Sequence, residues 1–183
     1  MLTALAILVA AKSESMISGR ITLPNGRPAV QAVISLTGSV RPEPLTKAKV
    51  DQRDRKFIPH VSVVTVGTVV DFPNNDIISH NVFTEYNSTK FDFGVYPKGT
   101  KKRQKFTQPG LAVIMCSIHP DMGAYIMVVD TPFYGITDKA GRYQISGVPN
   151  GRFKLEVWHE SGAGKKTETV VSGDTQLDIP LVK

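Results

Sequence analysis

The 183-residue chain holds one cysteine, Cys116, and four histidines. A lone thiol forms no internal disulfide and excludes four-cysteine zinc and iron–sulfur sites. Four imidazoles cap any histidine-rich catalytic metal centre. Long hydrophobic runs are missing as well. The apolar stretch Met1–Ala11 falls short of the roughly 20 helical residues needed to cross about 30 Å of hydrocarbon. It fits the apolar core of an export leader, with Val9 and Ala11 as the small residues before a cut, although no Lys or Arg precedes it. A leader over residues 1–15, export to a bacterial periplasm and no membrane span in the mature chain are expected. The alternative makes this run the first strand or helix of the fold. Charge of one sign is also weak: 22 Lys+Arg against 16 Asp+Glu give +6, too modest and dispersed to indicate nucleic acid, though compatible with an acidic partner.

What is present is ordinary globular composition, 41% hydrophobic and 21% charged, which argues against disorder and against a membrane bundle. Apolar residues recur with a period near two. Ile17 to Leu23, Ala29 to Leu36, Val61 to Val66, Thr68 to Phe72, Leu111 to Cys116, Ala124 to Val129, Gly151 to Trp158, Lys166 to Val171 and Gln176 to Leu181 read as strands. Turn residues separate them, as in Pro24-Asn25-Gly26, Pro73-Asn74-Asn75-Asp76, Gln108-Pro109-Gly110 and Pro149-Asn150-Gly151. No capped helical pattern longer than a few turns occurs. The fold class is all-β, of sandwich architecture.

The chemistry concentrates in Cys116-Ser117-Ile118-His119-Pro120-Asp121-Met122, with His80 far upstream in Ser79-His80-Asn81-Val82. Cys116 closes an apolar strand, which places its sulfur at the rim of a stiff sandwich. His119 and Met122 follow on one tight loop, stiffened by Pro120 and released by Gly123, so each can return toward that sulfur. Two imidazoles, one thiolate and one more distant thioether are the donor set of a mononuclear copper electron-transfer centre. Thiolate and thioether suit Cu(I), imidazole suits both oxidation states, and a rigid scaffold limits the reorganisation that opposes electron transfer. Taken singly, each residue has a plainer reading: a buried small hydrophobe for Cys116, a solvated turn side chain for a histidine, core for Met122. His60 and His159 stand alone and read as structural, as do the core and loop aromatics Phe83, Tyr86, Phe91, Phe93 and Tyr96.

These residues resemble the cupredoxins, in particular the plastocyanin and amicyanin branch. The resemblance covers roughly residues 55–130 and rests on Cys-x₂-His-x₂-Met with proline after the histidine, on His80-Asn81-Val82, and on Val66–Asn74 leading toward the first histidine. It implies a Greek-key sandwich with His80, Cys116, His119 and Met122 as copper ligands. It further implies that Asn81 ties the two ligand loops together and that the ring edge of His119 is the electron's exit. A second resemblance frames the first. Gly19–Leu36, Thr137–Tyr143 and Val148–Leu155 are similar to the halves of a carboxypeptidase-regulatory-like, transthyretin-type sandwich. The expected organisation is therefore a split module over 16–46 and 131–183 with a cupredoxin block, 47–130, inserted between its halves. The competing arrangement sets a short N-terminal hairpin beside two independent domains. The whole chain also resembles bacterial exported proteins called methylamine utilization proteins.

The implied function is a periplasmic one-electron carrier or relay working with a redox partner protein. The alternatives are a copper-handling protein (buffer, chaperone or sensor) and a metal-free docking sandwich. An enzyme is not expected, since a second copper site would have only His60 and His159 to draw on, and no cysteine-hydrolase signature is present. Lys98–Lys105 has two readings, a solvated turn and strand edge or a steering patch for an acidic partner. It lacks the interleaved aromatics that stack single-stranded nucleic acid.

Overall fold

A computed structural model describes residues 14–85 and 89–183, so most of the leader reading and Tyr86 lie outside the described residues. Glu14 and Ser15, grouped with the leader above, begin the first strand. The protein is all-β: every described element is a strand. The chain opens with β1 (Glu14–Thr22) and β2 (Val33–Thr37). It continues through β3 (Ala48–Lys49), β4 (Asp51–Arg53), β5 (Lys56–Ile58), β6 (Val61–Thr65), β7 (Val69–Pro73) and β8 (His80–Thr84). Next come β9 (Phe91–Tyr96), β10 (Lys101–Lys105), β11 (Gly110–Met115) and β12 (Gly123–Val129). The remaining strands are β13 (Tyr134–Ile136), β14 (Arg142–Pro149), β15 (Gly151–Trp158), β16 (Gly164–Val171), β17 (Thr175–Gln176) and β18 (Ile179–Pro180).

Side-chain alternation explains how these strands find their layers. Along β15, Phe153, Leu155 and Val157 are buried while Arg152, Lys154 and Glu156 face solvent. Each such buried side chain contributes about 1.5–3 kcal/mol of transfer free energy. Strands from the two ends of the chain pair with each other: β1 lies antiparallel to β14 and parallel to β17 and β18, while β13, β2, β15 and β16 form a second sheet. Between them sits one apolar core that draws on Ile17, Ile21, Ile34 and Leu36 as well as Tyr143, Ile145, Phe153 and Leu155. The middle of the chain forms a different pair of sheets, β10-β7-β3 and β6-β12-β11-β8-β9. Their core gathers Phe72, Val82, Phe106, Ile114 and Ile126, and it also holds Cys116 and Met122.

The two cores meet at Val33, Val61, Val63 and Val129, with the Tyr125 ring 5.1 Å from that of Trp158. Arg41 and Asp130 form an ion pair at the place where the chain leaves the first set of sheets and returns to it. The Thr131 hydroxyl, donating to the Leu36 carbonyl at 2.6 Å, secures the return.

Two strand expectations need correction. The strand read from Ala29 starts only at Val33, because Ala29 and Ala32 are buried in a turn in which Gln31 is left-handed (φ 58°). The strand read over Gln176–Leu181 is broken into β17 and β18. At the break Leu177 folds onto β1, donating its N–H to Ser18 and accepting the Tyr143 hydroxyl on its carbonyl. That approach depends on Gly19, where a Cβ would lie 2.0 Å from the Leu177 carbonyl oxygen.

Candidate metal centre

The loop after β11 is shaped by its own backbone. β11 and β12 run antiparallel and end on the pair Met115 and Gly123, so the residues between them must turn back at once. Met122 donates its N–H to the His119 carbonyl (2.9 Å) and accepts that of Cys116 (3.3 Å), which closes the loop around His119. β8 pairs with β11 through Phe83 and Met115, and this contact carries His80, the first residue of β8, to the same end of the sheet.

The result is convergence. His80 Nδ1 lies 3.1 Å from His119 Nδ1, and Cys116 Sγ lies 3.7 Å from His119 Nδ1. One donor atom from each of the three residues falls within 4.8 Å of the others. First-row metal bonds of about 2.0 Å to imidazole and about 2.3 Å to thiolate are compatible with these separations. A thiolate and two imidazoles without a carboxylate are a soft set, suited to copper or zinc and unsuited to Mg²⁺ or Ca²⁺. The donors therefore fit a copper ion. His80 and Cys116 are buried, whereas His119 is half-buried and borders the exposed Ile118 and Pro120. Met122 is buried in the apolar cluster that holds Cys116 and lines the closing end of the loop.

Asn81 hydrogen-bonds to residues of the Cys116 loop. Its backbone N–H points at Cys116 Sγ (3.4 Å), its Oδ1 accepts the Ser117 N–H (3.3 Å), and its Nδ2 donates to Asp92 (2.6 Å). The N–H directed at sulfur orients the Cys116 side chain, and the Asn81 side chain fixes the start of the cysteine loop.

Sequence reasoning missed Asp76, which it read only as part of a turn. The Asp76 carboxylate is buried and its Oδ2 lies 2.8 Å from Nε2 of His80. Burial alone would push this carboxyl up, but hydrogen bonds from the Arg55 N–H, the His80 ring and the Ile77 N–H outweigh it and bring the pKa from 3.8 to about 2. The spacing Asp76-x₃-His80 was a visible signal, but nothing local says that the carboxylate points inward. Tyr96, opposite His80 in the ladder, is also buried; burial, opposed by the Gln52 amide and reinforced by Cys116, pushes its hydroxyl up to about 12.

The other two histidines sit elsewhere. His60 bonds the Gly123 carbonyl (3.1 Å) and pairs with Glu160 (2.6 Å), while His159 bonds Ser161 and the Val30 carbonyl. Both serve the packing between segments. The basic stretch forms edge strand β10, where Lys101 and Arg103 both pair with Asp71 on β7 (3.0 and 2.8 Å). The hydrogen bond from Lys101 above all, with Arg103 beside it, holds the Asp71 carboxyl below its usual range.

Comparison with solved structures finds partial likenesses. A Cu-containing nitrite reductase from Thermus scotoductus SA-01 is 30% identical over 52% of this chain, with a TM-score of 0.45, and this chain spans only 25% of that one. A purple cupredoxin from Nitrosopumilus maritimus is 21% identical, covering 45% of this chain and 100% of its own, with a TM-score of 0.42. A reduced amicyanin variant is 20% identical, covering 54% of this chain and 99% of its own, also at 0.42. No protein-family model and no curated protein matches the chain.

Proposed function

We propose that this protein is an exported, periplasmic electron carrier or relay with a mononuclear type 1 copper site. The observation that carries the reading is the convergence of His80, Cys116 and His119 donor atoms within 4.8 Å at one end of a β-sandwich. Copper held there would supply a one-electron Cu(I)/Cu(II) couple. The chain's own residues would do the rest. His80, Cys116 and His119 would hold the ion, with the Met122 thioether at the closing end of the loop as a fourth, weaker donor. Asn81 braces the loops and directs an N–H at the sulfur. Burial of His80 and Cys116 keeps water from the donors, and the half-buried edge of His119 is where an electron leaves or enters.

The same reading makes residues 47–130 a cupredoxin block inserted into a transthyretin-like sandwich of residues 16–46 and 131–183. The separate cores and the Arg41–Asp130 pair at the crossing point support that division. The partner is a redox protein with an acidic face, and exposed Lys98 and Lys105, with half-buried Lys102, near one edge favour that sign of charge. The sandwich has no role in catalysis; it docks or spaces the carrier.

Reversible voltammetry of the copper-loaded protein tests this function. A single one-electron wave is expected, whereas a protein that holds only cuprous ion and shows no reversible oxidation would be a copper-handling protein instead. Met122→Gln should keep copper and shift that wave to lower potential, because a harder donor in place of the thioether would favour Cu(II). An unshifted wave would remove Met122 from the ligand set.

A further inference from the structure

The buried carboxylate behind His80 has a geometry that assigns protons. Asp76 Oδ1 accepts the Ile77 N–H at 2.7 Å, and Oδ2 faces both the Arg55 N–H at 2.7 Å and His80 Nε2 at 2.8 Å. Both carboxylate oxygens already accept a backbone N–H, so they face the ring as acceptors and the nitrogen 2.8 Å away, Nε2, is the donor of that pair. The opposite ring nitrogen, Nδ1, is the one 3.1 Å from His119 Nδ1 and on the side of Cys116. His80 is fully buried, so no water competes for either nitrogen.

The carboxylate is itself held from a third segment. Strands β4 and β5 join through Asp54 and Arg55, both left-handed (φ 50° and 53°), the backbone of a tight two-residue hairpin turn. That turn aims the Arg55 N–H at Asp76. Asn74 completes the support by accepting the Asp76 N–H on its own Oδ1 (2.9 Å).

We propose that Asp76 is a positioning residue for the metal pocket: it keeps the His80 proton on Nε2, leaves Nδ1 as the donor atom, and adds a fixed negative charge that favours the oxidised ion. The positioning half stands on the metal-free geometry alone. The charge half rests on the copper reading above.

Two measurements separate these halves. In the metal-free wild type, nitrogen-15 shifts of the histidine rings should show His80 as the Nε2–H tautomer, and in Asp76→Asn that preference should weaken. A wild-type Nδ1–H tautomer overturns the positioning role whether or not copper binds. With copper, Asp76→Asn should weaken Cu(II) binding about tenfold more than Cu(I) binding, within the 10- to 100-fold range of such supporting residues. That ratio corresponds to a rise of about 59 mV in potential for one electron. The carboxamide is close in size to the carboxylate, so a folded variant is expected, and a merely structural role would lower stability without moving the potential. An unchanged Cu(II)-to-Cu(I) affinity ratio overturns the charge role. If the wild type takes up no copper, the copper reading and the charge role fall together, while the tautomer result still decides the positioning role.

Discussion

Cys116→Ser is expected to abolish strong visible absorption in the copper-treated protein and to reduce Cu(II) affinity by on the order of 100-fold or more, a larger loss than for supporting residues. A serine hydroxyl stays protonated at neutral pH and is a hard donor, so it offers Cu(I) nothing and Cu(II) little. The fold should survive the change. Cys116 is buried at the end of β11, and the Asn81 N–H that faces its sulfur at 3.4 Å can donate to a serine oxygen as well. The readouts are the visible spectrum and the copper retained per chain after desalting, with circular dichroism to confirm strand content. A serine variant that kept both colour and metal would show that the thiolate is not a ligand.

The second large effect is on stability. Phe72 has no exposed surface and sits in the core that also holds Cys116, with the rings of Phe91 and Phe93 each 5.9 Å away. Phe72→Ala should destabilise this part of the chain by about 3–5 kcal/mol, the range for removing a buried phenyl ring and leaving a cavity. Urea unfolding of the metal-free protein measures it. The core built from Ile17, Leu36, Ile145 and Leu155 shares none of these contacts, so its own unfolding should move far less. A loss below about 1 kcal/mol would mean that the sheets around Phe72 are loosely packed.

Both predictions depend on features that were not equally legible. Strands such as Gly151–Trp158 could be read residue by residue because each lies half in a core and its alternation survives in the sequence. Cys116, His119 and Met122 were legible as a group because one short loop carries all three, and loop closure is local. His80 was named with the donor set, but its place beside Cys116 was not legible locally, since it depends on the pairing of β8 with β11 across 31 intervening residues, from Phe83 to Met115. The break between β17 and β18 was hidden because it is imposed by the backbone of β1 at Gly19. Asp76 was hidden for a related reason: its inward aim is set by the Arg55 N–H of a distant hairpin, and turn composition carries no record of that contact.

The electrostatic steering reading was partly legible. The positive stretch stood out in composition, yet Asp71 on the neighbouring strand pairs with two of its cations, Lys101 and Arg103. A cross-strand ion pair of this exposed kind contributes little to stability, but it reduces the field a partner would meet. The uncompensated charge therefore lies with Lys98, Lys102 and Lys105, which are the residues to neutralise when the salt dependence of partner association is measured.

Copper K-edge absorption on the protein loaded with one equivalent of Cu(II) tests the central claim most directly, because it reports donor atoms and not merely binding. The account requires one sulfur at close range and two imidazole nitrogens, the donors supplied by Cys116, His80 and His119. A first shell of nitrogen and oxygen alone, with no sulfur, would contradict it.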